Sequence, residues 1–153
     1  MINIRKVSTK DLDAISNLYM QLNEAESPFD NNLDKNYYHT EENKQRILKE
    51  IRSRKQTFLV AEENHQVIGC INGYIDDGPY YIEKVAYLNN LCVDKNFRKQ
   101  GIGKLLINAF YEKMKEQGAK FVKLNAFKGN HPAVSFYEKE GFTEYSVYYT
   151  KKL

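Results

Sequence analysis

Apolar positions recur along the chain at two periods, and each period marks an element. Ile2 to Val7 alternates apolar and polar, as a half-buried strand does. Ser8 stands three residues before Asp11, a capping-box pattern that opens a helix with Leu12, Ile15, Leu18, Tyr19 and Leu22 on its buried face. The periodicity fails from Asn23 to His39, where Pro28, several Asn and Asp, and the aromatics Phe29, Tyr37 and Tyr38 predict a long loop. Long loops inside compact domains are usually functional or disordered. Thr40 predicts the next N-cap. Glu41 and Glu42 fall in that helix's first turn and Arg52, Arg54 and Lys55 in its last, the order its dipole favours.

Thr57 to Glu62 predicts a strand, Glu63-Asn64-His65-Gln66 a hairpin turn, and Val67 to Asp76 the return strand. After the turn at Asp77-Gly78-Pro79, a long strand runs from Tyr80 to Val93. Its near-continuous apolar end predicts a central place in the sheet. Ile102, Leu105, Leu106, Ala109, Phe110 and Met114 follow at helical spacing until Gly118. Lys120 to Phe127 predicts a strand, Pro132 to Glu140 a short helix, and Phe142 to Thr150 a final extended segment. The order β-α-α-β-β-β-α-β-α-β predicts an α/β protein (an α+β mixed sheet) with helices on both faces. There are no internal repeats or low-complexity linkers, so residues 1–153 read as one domain.

Composition narrows the function classes. A hydrophobic fraction of 42% supports a core, and twenty aromatics, twelve Tyr and eight Phe, can pack it and line a pocket. A net charge of +3 with no run of five or more basic residues argues against nucleic acid. Cys70 and Cys92 sit in apolar runs and read as small buried hydrophobes rather than a disulfide framework. The N-terminus reads as a strand start, not a signal peptide, and no apolar stretch approaches membrane-spanning length, so a cytoplasmic protein without membrane contact is expected. His39, His65 and His131 are scattered, and no metal site is expected.

The chemistry concentrates between Asn89 and Lys104. A strand ending Leu91-Cys92-Val93 leads through Arg98-Lys99-Gln100-Gly101-Ile102-Gly103 into a helix. The first N–H groups of a helix lack intrahelical acceptors, and the dipole adds about half a positive charge there. Glycines at 101 and 103 let an anion approach them, and Arg98, Lys99 and Lys104 add formal charge. Two familiar phosphate motifs fail. The dinucleotide fingerprint needs glycine where Leu106 stands, and the P-loop needs Ser or Thr where Leu105 follows Lys104. What remains, Arg98-x-x-Gly101-x-Gly103 after a strand, resembles the pyrophosphate loop of the GNAT superfamily of N-acetyltransferases. One helix and one strand later, Asn130-x-x-Ala133-x-x-x-Tyr137 followed by Gly141-Phe142 is similar to that family's second signature. The likeness is good over roughly residues 57–143, while the first fifty or so match in element order alone.

The resemblance implies a GNAT-like acyl-CoA N-acyltransferase fold, its sheet splayed where acetyl-coenzyme A binds. Backbone groups of Leu91, Cys92 and Val93 would pair with the pantetheine arm, and an N–H of that strand would polarise the thioester carbonyl. Residues Arg98, Lys99, Gln100, Gly101, Ile102, Gly103 and Lys104 would hold the pyrophosphate, with Asn130 and Ala133 as further coenzyme contacts. Tyr137 would be the general acid. The implied reaction moves acetyl to a primary amine, of a cationic small molecule or of a lysine or N-terminus, by direct attack in a ternary complex. A free amine of pKa about 10.4 needs a base or a depressed pKa. Many relatives carry a carboxylate in mid-strand where this chain reads Tyr87-Leu88-Asn89-Asn90. Glu83, sharing strand parity with Tyr87 and Asn89, is then the candidate base, acting through water. The resemblance implies an acceptor site between the first two helices and the sheet. There Glu24, Glu26, Asp30 and Asp34 with Phe29, Tyr37 and Tyr38 make the Asn23–His39 loop either a site for a cation or a solvated acidic loop. The alternative is a catalytically silent coenzyme-A-binding or regulatory module. The assembly, a homodimer included, is left open.

Overall fold

The computed structural model describes residues 1–153. Nine elements build it: β1 (Asn3–Lys6), α1 (Leu12–Glu26), α2 (Glu41–Arg52), β2 (Gln56–Glu63), β3 (Gln66–Asp76), β4 (Val85–Val93), α3 (Ile102–Glu116), β5 (Phe121–Lys123) and α4 (His131–Lys139). The strands form one sheet in the order β1-β2-β3-β4-β5. The first four are antiparallel, and β5 joins β4 in parallel after the α3 crossover. The mixed sheet expected from the alternating pattern is therefore present.

Each sheet face buries its own core. On one, Leu59, Ile71, Ala86 and Leu88 pack against Ile102, Leu106, Ile107, Phe110 and Met114 of α3. On the other, Phe58, Val60, Cys70 and Cys92 meet Ile15, Leu18 and Tyr19 of α1 and Ile47 and Ile51 of α2. Leu105, expected on the buried face of α3, is 44% exposed, and Ile107 is buried in its stead. A charge cluster pins the chain's start: Arg5 donates to both Asp11 carboxylate oxygens at 2.9 Å and, through Nε, to Glu62 Oε2 at 2.9 Å. The Arg5 guanidinium holds the Asp11 carboxyl below its ordinary value. Asp11 also accepts from the Ser8 N–H at 2.7 Å, closing the predicted helix start.

Four boundaries differ from the sequence pattern. Helix α1 continues to Glu26 and ends where Pro28 disfavours helix for the residue before it, so the loop is shorter than Asn23–His39. Residues 80–84 are irregular, with Tyr80 89% exposed, because β3 offers no partner beyond Asp76, which faces Val85. Strand β5 stops at Lys123 rather than Phe127, because β4 turns away after Tyr87. The tail from Phe142 forms no strand; so short a β5 gives it no ladder to join.

Candidate active site

A one-residue irregularity in β4 organises the site. Asn72 of β3 faces Asn90, but the next pair is Gly73 with Leu88, so Asn89 has no opposite residue. Such a bulge bends and twists its strand. It also exchanges the faces of everything beyond it. Ala86 and Leu88 point into the α3 core before the bulge, and Leu91 and Val93 do so after it. Asn90 and Cys92 are thereby turned towards α1 and α2. Past Tyr87, opposite Lys123, no strand lies along the far edge of β4, so Leu88 to Val93 keep a free edge.

The polar loop that follows is held in shape. Arg98 Nε donates to the Val93 carbonyl at 3.0 Å, tying the loop back to the strand end. Lys99 (φ 60°) and Gly101 (φ 80°) adopt left-handed backbone, which only the glycine takes without strain. The N–H groups of Gly101, Ile102, Gly103 and Lys104 have no acceptor within the protein. At Gly101 a side chain would meet no protein atom within 4 Å, so the approach to those donors is open. At Gly103 an added Cβ would lie 3.4 Å from Phe136 Cζ, so this glycine lets α4 pack close to the start of α3. Lys104 reaches to 4.0 Å from Glu140. Donors, cations and bare backbone together suit a phosphate-bearing ligand.

Helix α4 is capped by Asn130, whose Oδ1 accepts from the Ala133 N–H at 3.4 Å, and Pro132 sits in the first turn. Asn130 thus has a local structural duty, and Ala133 supplies the capped N–H. Tyr137 stands edge-on to Phe136 (5.4 Å) and Phe142 (5.6 Å). Its hydroxyl bonds to no protein group. Burial first, then the neighbouring Cys92, Glu26 and Tyr111, push its pKa well above the ordinary tyrosine value, so the phenol stays protonated. Tyr111, beside Glu140, is pushed up to about 12 by burial.

Across the cleft, Glu26 at the end of α1 stands close enough for its charge to raise both Tyr137 and Tyr38. Its own pKa is raised by burial. Phe29 stacks on Phe127 at 6.2 Å, joining the α1–α2 loop to the β5–α4 loop. A Cβ at Gly129 would strike the Phe29 ring at 2.9 Å, so that contact depends on glycine. Of the acidic set expected to meet an acceptor, Glu24 and Asp34 are exposed, and Glu26 is the one beside Tyr137.

The expected base, Glu83, is not on β4. It precedes the strand's first residue and is exposed, and the bulge at Asn89 breaks the parity that was to align it with Asn89. The carboxylate beneath the bulge is instead Glu50 of α2, which sequence reasoning missed. Glu50 accepts from Arg46 Nη1 at 2.6 Å, Asn72 Nδ2 at 3.3 Å and Tyr19 Oη at 3.5 Å, and burial raises its pKa. Its signal was available: Asn43, Ile47, Glu50 and Ile51 share the inward stripe of α2, where a carboxylate is out of place.

The model of the Acetyltransferase (GNAT) family matches residues 14–142. An uncharacterised N-acetyltransferase of Methanocaldococcus jannaschii is 33% identical over 150 residues, which is 94% of this chain and 62% of that protein. The uncharacterised N-acetyltransferase YhfO of Bacillus subtilis is 28% identical over 147 residues, 94% of this chain and 91% of that protein. The crystal structure of PaiA N-acetyltransferase from Thermoplasma acidophilum, in complex with coenzyme A, superposes with a TM-score of 0.77 at 26% identity, covering 94% of this chain and 90% of that one. The family match runs from α1 through the bulged strand and the glycine loop to the end of α4, and this chain belongs to the acetyltransferase (GNAT) family.

Proposed function

We propose that the chain is an acetyl-coenzyme-A-dependent N-acetyltransferase that acts on a primary amine carried by a cation, by direct attack in a ternary complex. The observation that carries this reading is the free edge of β4. At one end it meets the unpaired N–H groups of Gly101 to Lys104, and beside it stand the unpartnered hydroxyl of Tyr137 and the carboxylate of Glu26. Acetyl-coenzyme A supplies an activated acyl carbon and a sulfur leaving group. Arg98, Lys99, Lys104 and the helix start hold phosphate charge. The backbone of Leu91 to Val93 offers strand-like pairing to an extended arm. The bulge gives β4 donors that no neighbouring strand uses, suited to a carbonyl oxygen gaining charge. A neutral amine forms the C–N bond as the C–S bond breaks. Tyr137 Oη, protonated at neutral pH, gives its proton to the departing sulfur and is restored by the proton the nitrogen sheds through solvent. Glu26 faces the amine as a counter-charge, and the aromatics Tyr38 and Phe29 enclose its carbon chain.

Acetyl-coenzyme A at 100 times its dissociation constant is expected to stabilise the protein by about 2.7 kcal/mol, a rise of several degrees in melting temperature. ATP and NAD at equal concentration should give none. Equal shifts with ATP would assign the Arg98–Lys104 loop to nucleotides in general, and thiol release with a panel of amines then scores transfer itself.

Gly103→Val should lower coenzyme affinity at least about tenfold, because its methyls crowd the donors and press on Phe136. The half-buried Phe136 ring can give way, so the fold should survive. Titration calorimetry on the folded variant decides; unchanged affinity would put the phosphate site elsewhere.

A further inference from the structure

Beneath the bulge lies a polar chain whose polarity is set from one end. Asn90 Nδ2 donates to Asn72 Oδ1 at 3.0 Å, and Asn72 Nδ2 donates to Glu50 Oε2 at 3.3 Å. A second branch runs beside it: Asn90 Nδ2 also donates to Tyr19 Oη at 3.4 Å, which donates to the same Glu50 oxygen at 3.5 Å. Asn72 and Tyr19 are each 1% exposed, so the middle of the chain is enclosed. A carboxylate only accepts. Asn72 must therefore turn its NH2 towards Glu50 and its oxygen towards Asn90, and Asn90 must spend both amide hydrogens inward. One atom is left over. Asn90 Oδ1 has no partner in the protein, and it is not among the enclosed polar atoms.

We infer that Asn90 Oδ1 is the seat for the N–H of the acceptor amine, with Glu50 as a positioning residue that fixes its orientation through Asn72 and Tyr19. This rests on the N-acetyltransferase reading and says which atom of the cleft meets the nucleophile. The ligand class is a primary ammonium or amine, which has N–H to donate; a quaternary ammonium has none. Asparagine neither takes nor passes on a proton at neutral pH, so the chain is not a proton wire. Its effect is directional. An amine that donates one hydrogen to Asn90 Oδ1 is held with its remaining valences along the free edge of β4. As its nitrogen forms a bond to the acyl carbon and gains positive charge, that hydrogen bond strengthens.

Arg46 makes Glu50 hard to replace. Its Nη1 donates to Glu50 Oε1, while Nη2 donates to Asn43 Oδ1 at 3.0 Å. In Glu50→Gln the single amide oxygen cannot serve both Arg46 and Asn72. If it faces Arg46, the new NH2 faces Asn72, the chain reverses, and Asn90 presents NH2 to the cleft.

The test is an NMR titration of the isotope-labelled full chain in the presence of coenzyme A, following the side-chain amides of Asn90 and Asn72. The probes are ethylammonium chloride and tetramethylammonium chloride, equal in charge and different in N–H. Ethylammonium is expected to shift both amides, with tetramethylammonium leaving them in place. Glu50→Gln should weaken the ethylammonium response at least about tenfold, the worth of a hydrogen bond with one charged partner. Equal responses to the two salts, no response at Asn90, or an undiminished response in folded Glu50→Gln would each overturn the inference. The wild-type comparison stands even if the variant does not fold. Acetyl transfer to ethylamine is scored separately by thiol release. No transfer to ethylamine or to any amine of the panel, with an intact Asn90 response, would sink the enzyme reading and leave only an ammonium-binding atom. Transfer without that response would sink the seat alone.

Discussion

Gly73→Ala is expected to lower stability by about 3 kcal/mol, the upper part of the range for overpacking a core. Gly73 is the β3 residue opposite Leu88, at the step where the two strands fall out of register. A Cβ there would run into the Tyr87 carbonyl oxygen and come within 2.7 Å of Phe110 Cζ. A side chain can swing aside, but the Tyr87 carbonyl cannot move without moving β4, and Phe110 is wholly buried. Even a folded variant would carry a displaced bulge, with Asn90 and Cys92 misdirected, so coenzyme-dependent turnover should fall further than stability alone explains. Urea denaturation followed by a turnover assay checks both parts. A Gly73→Ala protein with the parent's midpoint would mean that the bulge is not held by this contact.

Tyr137→Phe is the complementary case, with a large loss of rate and little loss of stability. The ring keeps its edge-on contacts to Phe136 and Phe142, and the hydroxyl removed bonds to no protein group. Stability should change by less than about 0.5 kcal/mol. Turnover should fall about a hundredfold, the lower end for general acid catalysis, since a thiolate leaves tolerably without help. Coenzyme affinity should hardly change, because the contact forms mainly in the transition state. Burial raises the phenol's pKa, so the acid form persists below that raised value and its loss belongs to strongly alkaline pH. Steady-state kinetics with any accepted amine, beside coenzyme titration, separates the outcomes. Wild-type turnover would remove Tyr137 as the acid, and weakened coenzyme binding would make it a binding residue.

The features legible in the sequence were those set by local periodicity and by glycine. The turn of α3 at Gly101 and the Asn130 cap of α4 depend on residues within a few positions, so the sequence carries them directly. The bulge depends on which β3 residue faces which β4 residue, a relation no single segment holds. Its trace was nevertheless present, because the apolar phase slips from Ala86 and Leu88 to Leu91 and Val93. Reading 80–93 as one unbroken strand hid that slip and carried Glu83 with it. Glu50 was missed for a related reason: as one charged residue in a charged helix, it becomes informative only when α2 is laid on the sheet. The tail failed for want of a partner, since alternation cannot say whether a neighbouring strand is long enough to receive it.

The sheet order β1-β2-β3-β4-β5 has a bearing on how the protein is made. Neighbouring strands in the sheet follow the order in which they leave the ribosome, so β2, β3 and β4 can assemble while later segments are still being synthesised. The cleft cannot. Glu26, Glu50, Asn90 and Tyr137 come from four separate stretches of chain, and the Phe29–Phe127 stack joins its early part to its late part. Such long-range closures are slow relative to local pairing. The framework therefore forms early and the cleft last, and a nascent chain gains its complete cleft only when α4 has emerged and docked.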